Sequence, residues 1–138
     1  MSNNFHLAIN VKNLEESIEF YCHLLGCSLG AFEKSSWQDI NFWGNELTLH
    51  KSDIKNAQEI HPVDMGNVPV PHFGIHLDNK TYKAIKNRIE SSDKFRYFDE
   101  PYLRFKDSSR EQETFFIKDP SNNMIEIKSM KNSKALFS

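Results

Sequence analysis

The sequence predicts an α+β fold made of two successive modules, each with one strand and one helix followed by further strands, three in the first module and four candidates in the second. An alternating apolar strand that opens on a histidine occurs twice, at His6 and at His72, and an asparagine follows each strand, Asn13 and Asn79. The two histidines stand 66 positions apart, and so do the two asparagines (72 − 6 and 79 − 13). An internal repeat of this kind indicates two copies of one structural unit.

The first module has the clearer pattern. Its first strand alternates over 5–11, with His6 on the face opposite the apolar residues. Asn13 then has the character of a helix N-cap, with Glu16 as its capping-box partner, and Gly26 fits the left-handed position after the helix. Three short strands are predicted to follow, over 28–33, 37–43 and 46–50.

The second module repeats this order after a polar, proline-punctuated connection that we expect to lack regular structure. Asn79 is predicted to cap a helix running to about Ser91, and strands are expected at 96–98, 103–105, 114–118 and 124–128. The domain is therefore interpreted as one unit over 1–138, with module one at about 4–52, a linker at 53–70, module two at about 71–129 and a tail at 130–138.

Composition excludes several classes of function. The chain has 138 residues and a formal net charge of −2, so it has no electrostatic reason to bind nucleic acid or an anionic membrane. It has no secretory pattern at the N-terminus and no apolar run near the ~18 residues of a membrane span. We therefore expect a cytoplasmic protein that acts on a small molecule.

One carboxylate in the last predicted strand needs an explanation. Ile125 and Ile127 bury one face of that strand and Glu126 lies on the other, and a buried carboxylate needs a cation or hydrogen-bond donors. If the two modules form one curved sheet, His6, His72 and Glu126 can converge, and two imidazoles with one carboxylate suit Fe(II), Mn, Ni or Zn. The alternative is that both histidines are ordinary strand-start residues and Glu126 pairs with a lysine.

Other polar residues are candidates for a pocket. Glu46 and His50 share one strand face about 13 Å apart, at ~3.3 Å per residue, so one metal cannot bind both without distortion. Tyr102 can donate a proton and Arg104 can hold an anionic substrate group; an outward-facing strand is the alternative for both.

The chain resembles the vicinal oxygen chelate superfamily, which includes glyoxalase I, extradiol dioxygenases, fosfomycin-resistance enzymes and bleomycin-resistance proteins. Closer still, it resembles a bacterial group of predicted extradiol-dioxygenase-like proteins. The runs that carry these resemblances are HLAINVKNLEESIEFY from His6, Leu25-Gly26, VPVPHFGI from Val68, EPYLRF from Glu100, Glu111-Gln112, and Asp119-Pro120 leading into Ile125-Glu126.

The resemblance implies paired βαβββ modules that form a curved mixed sheet, with a divalent metal bound on its inner face by His6, His72 and Glu126. It makes Fe(II) the first expectation and Ni, Zn or Mn the others. The run from Glu46 resembles the strand that supplies a glutamate ligand in bacterial glyoxalase I, so Glu46 is either a fourth ligand or a substrate-binding pocket residue. His50 and Tyr102 are expected to handle protons.

The implied function is an extradiol-dioxygenase-like oxidoreductase acting on a small diol. The alternatives are a glyoxalase I-like lyase or isomerase, in which Glu46 matters, a metal-dependent thiol transferase of the fosfomycin type, and a metal-free antibiotic-binding protein. Well-known ring-cleaving members have two such domains, so a chain of this length is expected to form a homodimer.

Overall fold

The computed structural model describes residues 3–63 and 66–138 and consists of two compact units. The first unit holds the chain up to Ala57 together with Asp119–Asn123, and the second holds Gln58–Lys118 and Met124–Ser138. Each unit contains its own four-stranded mixed sheet and its own helical segment. The predicted α+β class with paired modules is confirmed.

The first sheet has the strand order β1-β4-β3-β2, in which β1 runs parallel to β4 and the other neighbours are antiparallel. Its strands agree closely with the sequence prediction. The elements of this unit are β1 (His6–Val11), α1 (Leu14–Ile18), a π-helical segment (Glu19–Leu24), β2 (Ser28–Glu33), β3 (Trp37–Phe42) and β4 (Asn45–Lys51).

The start and end of the first helical segment follow the predicted signals. The Asn13 side chain accepts a hydrogen bond of 2.9 Å from the backbone N–H of Glu16, which satisfies a helix-terminal donor. Gly26 adopts φ 89°, a conformation that costs glycine little. Between these points, Phe20, Tyr21 and other apolar residues are fully buried, so packing holds the segment although its second half is π-helical.

The buried carboxylate of Asp119 organises the turn at Asp119–Asn123, which belongs to the first unit. The Tyr21 hydroxyl donates to Asp119 Oδ2 at 2.8 Å, and the Asn123 side chain donates to the same oxygen at 2.9 Å. The backbone N–H groups of Ser121 and Asn123 both donate to Asp119 Oδ1 at 2.8 Å. Four donors compensate the burial of this carboxylate, so the Asp119-Pro120 run has a structural role.

The second sheet has the order β7-β10-β9-β8, with β7 parallel to β10 and the other neighbours antiparallel. Tyr82, Ile85 and Ile89 form the buried stripe of its helix, as the periodicity predicts. The elements are β5 (Glu59–Val63), β6 (Gly66–Val70), β7 (Phe73–His76), α2 (Asn79–Glu90), β8 (Asp99–Arg104), β9 (Gln112–Lys118), β10 (Met124–Met130) and a 3₁₀ turn (Ser133–Ala135).

Two predictions for this unit are wrong, one for the connection and one for a strand. The connection expected to lack regular structure contains the hairpin β5–β6, in which Pro62 pairs with Asn67 and Pro69 with Ile60. Both strands of a two-stranded hairpin are edges, which is where a sheet tolerates proline. The strand expected at 96–98 is absent among the described residues, and edge strand β8 begins instead at Asp99.

The predicted cap of the second helix is also wrong, by one residue. Asp78 is the N-cap of α2, and its carboxylate accepts from the backbone N–H of Thr81 at 2.8 Å and from the Thr81 hydroxyl at 2.9 Å. Asn79 is the first helical residue. Both residue types are good N-caps, so the repeat pattern alone could not choose between neighbours.

No helix in the described part of the chain is long and apolar enough to cross a membrane.

The tail predicted at 130–138 contains a 3₁₀ turn, in which Ala135 is buried, while Phe137 is almost fully exposed.

The corrected cap yields a pH-dependent prediction. The hydrogen bonds from the backbone N–H and hydroxyl of Thr81 lower the pKa of Asp78 below its ordinary value. A carboxylate with a lowered folded-state pKa adds stability above its unfolded-state pKa, and this contribution is lost as the pH falls through the folded-state pKa. We therefore expect Asp78→Ala to lower the urea midpoint at pH 7, and the deficit to shrink below about pH 4.

Asn79→Ala is the matched control for this measurement. Its side chain lies on the exposed first turn of the same helix, so its urea midpoint should follow that of the wild type across the pH range. An equal loss in both variants would mean that Asp78 is not the cap.

Candidate functional site

In the first unit, a histidine and a glutamate meet across two neighbouring strands. His6 of β1 lies directly opposite Glu46 of β4, and Nδ1 of the imidazole is 2.7 Å from Oε1 of the carboxylate. A carboxylate can only accept, so Nδ1–H donates and the lone pair of His6 Nε2 stays available. Both side chains are more than half exposed, 57% and 54%. They line a cavity of about 650 Å³ that Asp39 and Asn41 also border.

The second unit contains a corresponding but more buried pair. His72 lies immediately before β7, and its Nδ1–H donates to the backbone carbonyl of Pro69 at 2.6 Å, because a carbonyl can only accept. Its Nε2 faces Oε1 of Glu126 at 3.2 Å. The ring packs edge-on against Phe116, with centroids 5.1 Å apart. The imidazole is therefore held on three sides.

Glu126 is 5% exposed and has two further partners. The hydroxyl of the fully buried Thr114 donates to Oε2 at 2.6 Å, and the Lys128 ammonium lies 3.6 Å from Oε1. Burial raises the pKa of Glu126, but the hydrogen bonds from His72 and Thr114 and the charge of Lys128 outweigh it, so the pKa lies below its ordinary value. The hydrogen bond to Glu126 raises the pKa of His72 despite burial.

A glycine lets the two strands of this site come together. Gly74 of β7 is the register partner of Glu126 on β10. A Cβ atom added at Gly74 would lie 1.7 Å from the backbone carbonyl oxygen of Glu126. No side chain fits at that distance, so the close approach of β7 to the strand that carries Glu126 requires glycine.

The donor chemistry of both pairs fits a divalent metal. Metal-binding histidines commonly donate their second ring N–H to a carboxylate or a backbone carbonyl, which fixes the tautomer. His6 does so to Glu46 and His72 does so to Pro69. Among residues 3–63 and 66–138, however, no group of three or more His, Cys, Asp or Glu side chains is close enough to hold a metal. The structure therefore places the predicted ligands in two pairs, one in each unit.

The remaining predicted residues lie on the same strands as these pairs. His50 is exposed on β4, opposite Asn10 and Trp37. Tyr102 of β8 is the register partner of Thr114, and burial, followed by the negative charge of Glu126, raises its pKa. The Arg104 guanidinium lies over the ring of Phe105, 5.0 Å from the centroid, and Arg104 pairs in register with the buried Gln112.

Sequence reasoning missed Thr114, which donates to Glu126 of the second pair, and did not identify Lys128 as the lysine beside that carboxylate. A signal for Thr114 exists in the hairpin geometry: the turn at Asp119–Asn123 pairs 116 with 126 and 114 with 128. This places Thr114 and Glu126 on the same face of adjacent strands, because side chains alternate along a strand. Lys128 is two residues from Glu126 on β10 and therefore on the same face of the strand. It is the lysine that pairs with Glu126.

The comparisons with known proteins agree with this architecture. A family model described as the glyoxalase/bleomycin resistance protein/dioxygenase superfamily matches residues 5–81, more than half of the chain. A crystal structure of a glyoxalase/bleomycin resistance protein/dioxygenase from Alicyclobacillus acidocaldarius is 32% identical, with a TM-score of 0.73, and the match covers 98% of this chain and 96% of that one.

The chain belongs to the glyoxalase/bleomycin resistance protein/dioxygenase superfamily. Two solved structures with lower identity share its fold. The fosfomycin resistance protein FosX from Listeria monocytogenes has 12% identity and a TM-score of 0.72, with 99% of each chain covered. A glyoxalase/dioxygenase from Nostoc punctiforme has 17% identity and a TM-score of 0.68, with 94% of this chain and 92% of that one covered. No curated protein matches the chain.

The contact at Gly74 predicts a large effect of a single methyl group. Gly74→Ala should lower the free energy of unfolding by at least about 3 kcal/mol, since overpacking commonly costs ~1–3 kcal/mol and here the obstacle is backbone. Urea denaturation followed by circular dichroism measures this change.

Gly30→Ala on edge strand β2 provides the comparison. A Cβ atom at Gly30 would meet the Asp39 Cβ atom at 3.1 Å, a contact that a shift of a few tenths of an ångström relieves. We expect a clearly smaller loss there. Equal and small losses in both variants would show that β7 can retreat from β10 at little cost.

Proposed function

We propose that this superfamily member is a metal-dependent enzyme whose protein ligands are His6, His72 and Glu126. The observation that carries the proposal is which nitrogen of each imidazole ring is already used as a hydrogen-bond donor. In both, Nδ1–H is donated to an acceptor, so Nε2 is the nitrogen that a metal would bind. At His72 the metal would take the place of the proton that Nε2 donates to Glu126. Glu126 Oε1, which faces His72 Nε2 at 3.2 Å, supports the assignment of that carboxylate as a ligand.

In this proposal Glu46 orients His6 and is not itself a metal ligand. Its hydrogen bond of 2.7 Å to Nδ1 is a charge-assisted contact of ordinary length. Two imidazoles and one carboxylate with open positions form the donor set of non-haem Fe(II) oxygenases. When bound, the Fe(II) would supply a Lewis acid and an electron conduit for a substrate with two adjacent oxygens. An extradiol-dioxygenase-like reaction on a small diol is therefore the first candidate.

The other polar residues have supporting roles in this candidate. Tyr102 has a raised pKa, so its phenol is protonated near neutral pH and can donate to a substrate oxygen. His50 is the second proton-handling group proposed, and Arg104 is the group proposed to bind an anionic part of the substrate.

A second candidate rests on the exposure of Glu46. Its side chain is 54% exposed and lines the 650 Å³ cavity next to His6, so a substrate can reach it. A carboxylate beside a metal ligand can remove a proton from a carbon next to a bound carbonyl, which is the chemistry of a glyoxalase I-like lyase or isomerase. In this candidate Glu46 is the base, or a fourth ligand.

Metal affinity tests the ligand assignment. We expect wild-type protein to bind about one divalent ion per chain, measured by titration of metal-free protein with Co(II) and by elemental analysis after dialysis. His72→Ala should abolish binding. Glu46→Ala should weaken binding by roughly 10–100-fold, the usual effect of losing an outer carboxylate partner. Glu46→Gln keeps an acceptor for Nδ1–H and should weaken binding less.

His61→Ala is the matched control, because His61 lies on an exposed strand of the second unit outside both pairs. Loss of binding in Glu46→Gln equal to that in His72→Ala would make Glu46 a ligand. Wild-type protein that binds no metal would contradict the proposal and leave the metal-free binding protein. Light scattering on the same samples tests the proposed homodimer.

Activity separates the two candidates. The Fe(II)-loaded protein is expected to consume oxygen with at least one member of a catechol panel, and Glu46→Gln should retain this rate within about tenfold. Conversion of the hemithioacetal of methylglyoxal with a thiol, with a loss of roughly 10²–10⁴-fold in Glu46→Gln, would instead identify Glu46 as a general base and support the second candidate.

A further inference from the structure

A cavity in the second unit places a lysine beside the proposed metal ligands. The cavity has a volume of about 460 Å³, within the size range of small-molecule sites. His72, Glu126 and Lys128 line it together with His76, the close-packed Gly74 and Leu136 from the tail. The Lys128 side chain is only 22% exposed.

Lys128 and His72 share one oxygen of Glu126. The Lys128 ammonium lies 3.6 Å from Oε1, and His72 Nε2 lies 3.2 Å from the same atom. The other oxygen, Oε2, accepts from Thr114 at 2.6 Å. Oε1 faces His72 Nε2, so it is the oxygen placed to bind a metal together with His72, and it is also the oxygen paired with Lys128. A dication bound to that oxygen would place a second positive charge next to the partially buried ammonium.

We propose that the substrate of this site carries an anionic oxygen group, of which a carboxylate is the simplest example, that Lys128 binds beside the metal. This inference rests on the proposed function, since it needs a metal at Glu126. An anion can interact with the metal and with the Lys128 ammonium at the same time. A hydrogen bond between an ammonium and an anionic oxygen is among the stronger ones in proteins. A neutral diol would leave the ammonium without compensation in a partially buried position.

The competing explanation is that Lys128 only compensates the buried carboxylate. The two explanations differ in what removal of the ammonium does. A lysine that serves only Glu126 competes with the metal, so its removal should strengthen metal binding and leave ligand binding unchanged. A lysine that recognises an anion should also be needed for ligand binding after the metal is in place.

The test measures metal and anion binding separately in Lys128→Met. Co(II) is titrated into metal-free protein, and then lactate or its neutral analogue lactamide is titrated into the Co(II)-loaded protein, with the visible absorption of Co(II) as the readout. We expect Lys128→Met to bind Co(II) at least as tightly as wild type and to bind lactate at least tenfold more weakly. Lactamide should bind wild type and variant equally and more weakly than lactate does.

Two further variants control for charge and for folding. Lys118→Met removes an exposed lysine from the neighbouring strand β9, where it packs on Phe98 outside the cavity, and should behave as wild type. Lys128→Arg keeps the charge and should retain part of the lactate affinity. Circular dichroism on each variant checks the fold, and Lys128→Gln replaces Lys128→Met if the latter does not fold.

The outcomes separate this inference from the proposed function. If wild type binds no Co(II), the proposed function fails and this inference fails with it. If wild type binds Co(II) but lactate affinity is the same in Lys128→Met, or lactamide binds wild type as tightly as lactate, only the recognition of an anion by Lys128 is overturned.

Discussion

The burial of the Glu126 carboxylate constrains the second unit more than any other single feature. β10 is an interior strand between β7 and β9, and a carboxylate in such a place is tolerated only with donors or cations around it. Three residues supply them: Thr114 from β9, His72 from the position just before β7, and Lys128 from β10 itself. The register that pairs Glu126 with Gly74 brings β7 close enough for the His72 contact.

The two modules repeat their histidine but not their carboxylate. Gly74 pairs with Glu126, and the residue 66 positions before Gly74 is Ala8, which pairs with Thr48. The equivalent of Glu126 in the first unit is thus a threonine, whose hydroxyl donates to Asp39 at 2.6 Å. Glu46 instead pairs directly with His6 and is half exposed. The Glu126 carboxylate is surrounded by three partners, while the Glu46 carboxylate has His6 as its partner and is open to solvent.

The sequence could predict the parts of the molecule that depend on neighbouring residues better than those that depend on contacts between strands. Local signals sufficed for β1, for the Asn13 cap and for the left-handed Gly26, because each depends on neighbouring residues. The β5–β6 hairpin was missed because its prolines argue against an interior strand and not against an isolated two-stranded ribbon. The roles of Glu46 and Lys128 depend on register between strands, which hydrophobic periodicity does not give.

The position of Lys128 links the stability of the site to its chemistry. Without a metal, the Lys128 ammonium adds to the hydrogen bonds from His72 and Thr114 that keep the buried Glu126 carboxylate ionised. In the proposed metal-bound state, a cation at Oε1 would replace Lys128 as the main partner of that oxygen and leave the ammonium in the cavity beside a second positive charge. The proposal therefore gives Lys128, which lies two residues from the proposed ligand Glu126 on β10, a role both without and with a metal. Because a dication and an ammonium would then share one carboxylate, the proposed anionic ligand would reduce the excess of positive charge in the cavity.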